Sequence, residues 1–351
     1  MNQVADEYYE GALELLSKTG INCNFKLIPL QGGRNNRVFR LDAEGKSFLL
    51  KAYFFSSQDS RDRLYHEFSF TNFAWTCGIC TVPKPFAVWP ERRLALYEFI
   101  DGILANQRVT TKEDICQASD FILSLNRHRS NNLALELPAA SEACFSMEEH
   151  VINTIKRIDR ISQIEVTDDY DQSAKERVEC ILKPLWYEVR NLIDVRKKKN
   201  PLINRTLNVE ERWISPSDFG FHNAVEEKDG RLRFIDFEYA GWDDPAKLLC
   251  DFSNQPDRLL DPALSREFID RVTAQDVNPE FLHFRYLLLE PLYQIKWACI
   301  ILNDFLPFGN QRRKFTNSEK VKAQKRVQLD KLNVMLDRVK NTIRSNIYYL
   351  Q

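Results

Sequence analysis

No run of this sequence is long and apolar enough to cross a bilayer as a helix, which excludes a helical membrane protein. Charge of one sign is also missing. Lys and Arg number 49 against 50 Asp and Glu, a formal net charge of -1, so a protein that holds nucleic acid by bulk electrostatics is excluded. The eight cysteines, from Cys23 to Cys299, have no repeating spacing and read as reduced thiols of a cytoplasmic protein. Only Cys77 and Cys80 lie close together, and a zinc site would need a second such pair. The N-terminus MNQVADEYYEGALELL is too acidic for a signal peptide. Its 351 residues, 44% hydrophobic and 28% charged, suit a globular chain with room for two domains.

The informative stretch runs from Ser215 to Phe252, SPSDFGFHNAVEEKDGRLRFIDFEYAGWDDPAKLLCDF. Asp229-Gly230, between the apolar runs 223–225 and 232–235, is a strong hairpin signal. Folding that hairpin returns Asp236 beside Asn223, and Asp218 lies on the loop that feeds it. Two carboxylates and a carboxamide at one end of a ribbon suit a hard, oxygen-seeking cation such as Mg²⁺, with one carboxylate left to accept a proton. An ordinary polar turn is the bland alternative, since Asp and Asn abound in turns.

Asp218-x-x-x-x-Asn223, followed by Asp236-Phe-Glu238 and the turn Tyr239-Ala-Gly-Trp-Asp-Asp-Pro245, resembles the catalytic core of the aminoglycoside phosphotransferase and choline kinase group of the kinase-like superfamily. The group usually carries His-Gly-Asp or His-Asn-Asp where this chain reads Pro216-Ser217-Asp218. The absent histidine normally braces the loop rather than touching phosphate. The resemblance implies that Asp218 positions and deprotonates an acceptor hydroxyl, while Asn223 and Asp236 hold Mg²⁺.

Upstream residues fall in the matching order. Gly32 and Gly33, at the tip between two strand-like runs and followed by Asn36-Arg-Val-Phe39, are similar to the group's nucleotide-covering loop. Lys51 sits in the apolar strand Phe48-Leu-Leu-Lys-Ala52, where a lysine is either an edge residue that snorkels or one with an anionic partner. Under the resemblance it binds the ATP phosphates, and Glu67, within a helix expected over 60–75, orients it. The stretch 97–102, YEFIDG, resembles the hinge, with the backbone of Glu98 to Ile100 facing the adenine. Further helices are expected over 6–18, 112–129, 146–162, 173–195, 265–272, 279–305 and 318–347, and the basic run 196–199 is expected as a solvated loop. The helix at 279–305 is rich in rings, which are core or pocket. The last carries Leu329, Leu332, Leu336, Val339 and Ile343 at three- and four-residue steps, a stripe suited to packing on its own domain more than to pairing two chains.

The expected fold is α+β and protein-kinase-like in two lobes: a β-rich N-lobe over 1–100 and a larger helical, catalytic C-lobe over 101–351. The expected function is ATP- and Mg²⁺-dependent transfer of phosphate to a hydroxyl of a small molecule, such as a sugar, an aminoglycoside or an amino alcohol. Trp242, Asp243, Asp244 and Glu290 are the candidate acceptor contacts, against the plainer reading that Trp242 and the rings fill the core. A protein kinase is the same chemistry on another hydroxyl, but no Ala-Pro-Glu follows Asp236. A pseudokinase used as a nucleotide-binding module is suggested only by Pro216-Ser217.

Overall fold

The computed structural model describes residues 3–30, 36–55, 61–306 and 318–349. The chain forms two compact units, Met1–Ala143 with Trp213–Asp243 and Cys144–Arg212 with Asp244–Gln351. This differs from a division after residue 100. Segments beyond that point return to the first unit by strand pairing and side-chain clamps described below.

The first unit is built on an antiparallel sheet of β1 (Phe25–Pro29), β2 (Arg37–Ala43), β3 (Lys46–Ala52), β4 (Pro85–Trp89) and β5 (Leu94–Glu98), in the order β1-β2-β3-β5-β4. Strand periodicity gives its two faces different work. Phe39, Leu41, Phe48, Leu50, Leu94 and Leu96 bury one face against Ala12, Leu15 and Leu16 of helix α1 (Gln3–Lys18). Leu13 of the same helix is exposed. The other face pairs Lys51 with Ala95 and Leu49 with Tyr97, and there Tyr53, Ala95 and Tyr97 pack with Leu64 of α2 (Arg63–Thr76). Helix α2 starts later than the sequence pattern suggests because Asp62 caps it, its carboxylate accepting from the Tyr65 N–H.

After β6 (Ile103–Leu104) come α3 (Lys112–Arg127) and α4 (Asn132–Leu135). The predicted hairpin is β8 (Ala224–Glu226) and β9 (Leu232–Phe234), with Gly230 at φ 84° in its turn, and β6 adds to its edge. Gly102 is obligatory there, since a Cβ would lie 2.2 Å from the Glu226 carbonyl oxygen. Two short strands escape the sequence pattern, β7 (Trp213–Ser215) and β10 (Gly241–Asp243), which pair antiparallel.

The second unit is helical: α5 (Met147–Ile161), α6 (Asp169–Arg177), α7 (Lys183–Lys199), α8 (Pro245–Asn254), α9 (Pro262–Thr273), α10 (Pro279–Leu302) and α11 (Ser318–Tyr349). The expected single helix over 173–195 is α6 and α7 joined by a π turn at Val178–Leu182. Pro184 follows that turn and lacks the N–H a regular turn would use, and the wider turn accommodates it. The run Arg196 to Lys199 is not a loop but the last turn of α7, where cations meet the negative end of the helix dipole. Helix α8 was missed although Asp244 at the cap and Pro245 at the first position are a regular start signal. The leucine stripe of α11 is buried against α10. No helix of the described residues is long and apolar enough to cross a membrane.

Inside this unit His150 Nε2 lies 2.9 Å from Asp244 Oδ2, Arg285 Nε donates to the same oxygen at 2.7 Å, and His150 Nδ1 meets the Tyr293 hydroxyl at 2.8 Å. Burial holds His150 below the ordinary histidine range despite the pull of Asp244. Burial opposes ionisation of Asp244, but Arg285 and His150 overcome it and hold its carboxyl at about 2. A group with a depressed folded pKa stabilises fully above its unfolded value and less as pH falls. The window for His150 therefore opens below about pH 6.5. The urea midpoint should fall from pH 7.5 to 5.5, and His150→Gln should flatten that slope even where it lowers the midpoint. An identical slope in the variant would refute the assignment.

Candidate active site

Lys51 is only 5% exposed. An ammonium so placed needs anionic partners, and its Nζ donates to Glu67 Oε2 and to Asp236 Oδ1, each at 2.6 Å. Burial alone would favour loss of the proton, but Asp236 and Glu67 outweigh it and hold the lysine above its ordinary range. Glu67 Oε2 also accepts from the Tyr53 hydroxyl at 2.8 Å, and Tyr53 and Tyr97 meet oxygen to oxygen at 2.9 Å. Burial raises both phenols far above the usual tyrosine range, so both keep their protons. The donors can then only run from Tyr97 to Tyr53 to Glu67.

The hairpin gathers the other candidates. Ile235 N–H donates to the Asn223 carbonyl at 2.9 Å, which sets Asp236 beside the start of β8. Asn223 Nδ2 donates to the Asp218 carbonyl at 3.0 Å. That bond uses the nitrogen end of the amide, so its oxygen is the end with the chemistry of a metal donor. With Asp236, it makes an all-oxygen pair that fits Mg²⁺ once phosphate oxygens complete the set. Among the described residues no three His, Cys, Asp or Glu side chains gather to hold a metal alone.

Two residues here hold left-handed backbone, Ser217 at φ 69° and Asp236 at φ 68°. Each costs about 1–3 kcal/mol and persists only where its surroundings over-determine it. Ser217 stands where the resembled group has Gly or Asn, the residues that adopt this conformation most readily. The surroundings that fix both turns are aromatic. Phe219, next to Asp218, and Phe237, next to Asp236, are buried on Phe121 of α3 at centroid distances of 5.7 and 6.2 Å. Phe237 also packs on Phe70 of α2 at 4.6 Å, and Phe234 stacks on Phe121 at 4.7 Å. Each acid thus sits next to a ring locked in the core. Upstream, the buried Asn126 amide bonds both the N–H and the carbonyl of Ile214, fixing β7 to α3.

Gly32 and Gly33 lie outside the described residues. Asn36, just after them, donates to Glu238 Oε2 at 2.5 Å and accepts from Phe54 N–H at 3.2 Å, so the metal-side segment also ties down that limb. At the hinge, Glu98 N–H donates to the Lys84 carbonyl and its carboxylate accepts from Arg233 at 2.6 Å. Ile100 is half-buried and outside any strand. The four acceptor candidates divide between units. Trp242, half-buried, donates from Nε1 to the Ala134 carbonyl at 2.8 Å, and Asp243 is fully buried. In the second unit Asp244 is fully buried, and half-buried Glu290 has its carboxyl raised by burial against the pull of Tyr286 and Arg338. Sequence reasoning gave no role to Tyr53, Tyr97, Glu238 or His222. Asn36 and Glu238 carried a signal as members of the Asn-x-x-Phe and Asp-Phe-Glu motifs, but their contact with each other was not foreseen.

Two outcomes follow from this geometry. Tyr53→Phe leaves the buried Glu67 carboxylate one donor short, and KM for ATP should rise about 5- to 20-fold, corresponding to a lost charge-assisted hydrogen bond. An unchanged KM in folded Tyr53→Phe would remove the phenol from the site. Ser217→Gly should raise stability by about 0.5–1 kcal/mol in urea unfolding by relieving the left-handed turn. Destabilisation would show that the strain lies elsewhere.

No protein-family model matches the sequence, and no curated protein matches it either. Solved structures do. A spectinomycin phosphotransferase in complex with ADP and spectinomycin superposes with a TM-score of 0.62 at 13% identity, over 95% of this chain and 98% of its own. A choline kinase from Cryptosporidium parvum gives 0.58 at 13% identity, over 97% and 99% of the two chains. A Plasmodium vivax ethanolamine kinase gives 0.57 at 13%, over 98% of this chain and 91% of its own. At such identity the likeness establishes architecture: this chain has the kinase-like α+β fold, with a small antiparallel sheet and a larger helical part.

Proposed function

We propose that the protein is an ATP-dependent phosphotransferase acting on a hydroxyl of a small molecule: a sugar, an aminoglycoside or an amino alcohol. The observation that carries this reading is the single contact set joining Lys51, Glu67 and Asp236, with Asn223 and Asp218 on the same hairpin end. The similar folds of a spectinomycin phosphotransferase, a choline kinase and an ethanolamine kinase support a small acceptor over a protein one.

In this reading the charged Lys51 meets the phosphates, and Glu67 keeps it aimed. The Gly32-Gly33 tip covers the nucleotide. With the Glu98 N–H bonded within the sheet, Phe99 and Ile100 carry the main-chain groups that meet adenine. Asn223 and Asp236 would hold Mg²⁺, which would neutralise phosphate oxygens. Asp218 accepts the acceptor's proton as its oxygen bonds to the γ-phosphorus, and the bond from that phosphorus to the bridging oxygen breaks to leave ADP. Trp242, the candidate of the first unit with some exposure, would touch the acceptor, and Asp243 is buried on the same strand. Asp244 and Glu290 lie in the second unit, where Asp244 serves a helix cap, His150 and Arg285.

ATP with Mg²⁺ at millimolar concentration should raise the melting temperature, because a ligand well above its Kd stabilises the folded state. Asp218→Asn should keep that shift and lose turnover by a factor of about 10² or more, whereas Asp236→Ala should lose the Mg²⁺-dependent shift as well. No shift in the unmodified protein would count against nucleotide binding, and equal behaviour of the two variants would undo the separation of roles.

A further inference from the structure

We propose that His222 is the positioning residue for Asp218, bracing the catalytic loop from its C-terminal side where the resembled group braces it from the N-terminal side. The inference rests on the reading of Asp218 as the catalytic base. His222 Nε2 lies 3.2 Å from Asp218 Oδ1. An ionised carboxylate can only accept, so the imidazole donates from Nε2 and carries its proton there.

The two partners differ in exposure. The imidazole side chain is 12% exposed and the Asp218 side chain 39%. His222 sits in a single tight turn, Phe221–Asn223, between buried Phe221 and the start of β8, and Asn223 N–H closes that turn on the Gly220 carbonyl at 3.0 Å. The ring is therefore the fixed partner, and the exposed carboxylate is the one whose rotamers it restricts. Adjacent residues divide the task. Asn223 holds the main-chain oxygen of Asp218 and His222 holds its carboxylate. Position 216, a proline, has no side-chain donor to offer.

Holding a base in its productive rotamer raises turnover without improving nucleotide binding. With water as acceptor, ADP formation by His222→Ala should have a kcat about 10- to 100-fold lower and a KM for ATP within about twofold of the unmodified protein, at an unchanged melting temperature. His222→Gln retains an N–H near the same reach and should recover part of that loss. It also decides the matter if the alanine variant fails to fold. The contact itself is read without turnover. In long-range ¹H–¹⁵N spectra the His222 ring, assigned by its loss in His222→Gln, should show the Nε2–H form and shift in Asp218→Ala. No shift would overturn the proposal. So would an unchanged kcat, or a raised KM for ATP with kcat intact, in a folded His222 variant. If the unmodified protein forms no ADP with water or any hydroxylated acceptor, the phosphotransfer reading fails, and the spectra still decide whether His222 holds Asp218.

Discussion

An ammonium group buried away from water must find negative charge, and in the first unit that requirement organises three segments far apart in sequence. Lys51 is on a central strand, Glu67 on the helix packed over it, and Asp236 at the end of a hairpin almost two hundred residues later. Removing either carboxylate would leave a buried charge short of its partner, which costs far more than an exposed ion pair is worth. The phenols of Tyr53 and Tyr97 extend the constraint by giving the Glu67 carboxylate a second, neutral donor. Helix α2 is therefore tied to the sheet at a buried point, and the lysine is held in one direction by the protein alone. Such preorganisation is what electrostatic catalysis of phosphoryl transfer needs.

The acids face a different problem. They must stand partly exposed at a loop, where backbone is ordinarily least defined. The chain solves this by placing a phenylalanine directly after each one. Phe219 and Phe237 are core residues by every measure of burial, and both meet Phe121. With the side chain after each acid fixed, the left-handed turns at Ser217 and Asp236 are held open against their local preference. Strain at these two positions is thus balanced by packing a few ångströms beneath them.

How much of this could be read in advance depended on whether the signal was local. The hairpin, the Lys51 strand and the α2 carboxylate were legible because alternation and Asp-Gly are short-range patterns. The stripe of α11 was legible for the same reason. The strands β7 and β10 were not, because three-residue strands have too little alternation to register and exist only through their pairing. Tyr53 was invisible since it acts across a fold contact, and His222, although only four residues from Asp218, because a histidine in a turn is unremarkable in sequence. The acceptor candidates were chosen by chemistry without burial, and the fully buried Asp243 and Asp244 show what that omits. A carboxylate in a conspicuous Trp-Asp-Asp-Pro turn can be serving a helix cap and an arginine.

The departure at Pro216-Ser217 looks different once the loop's supports are counted. The Asn126 amide pins Ile214 from one side, and Ser215 Oγ accepts from the Ser217 N–H at 3.0 Å. Phe219 anchors the loop in the core, and Asn223 closes it from beyond. A loop with that many independent restraints does not depend on any one of them for its path. The restraints just named act on the main chain and on Phe219 rather than on the Asp218 carboxylate. His222 does reach it. Under the proposed function the chemistry asks for a buried donor beside an exposed base, and either side of the loop can provide one. A missing histidine in the motif is therefore weak grounds for reading this site as dead.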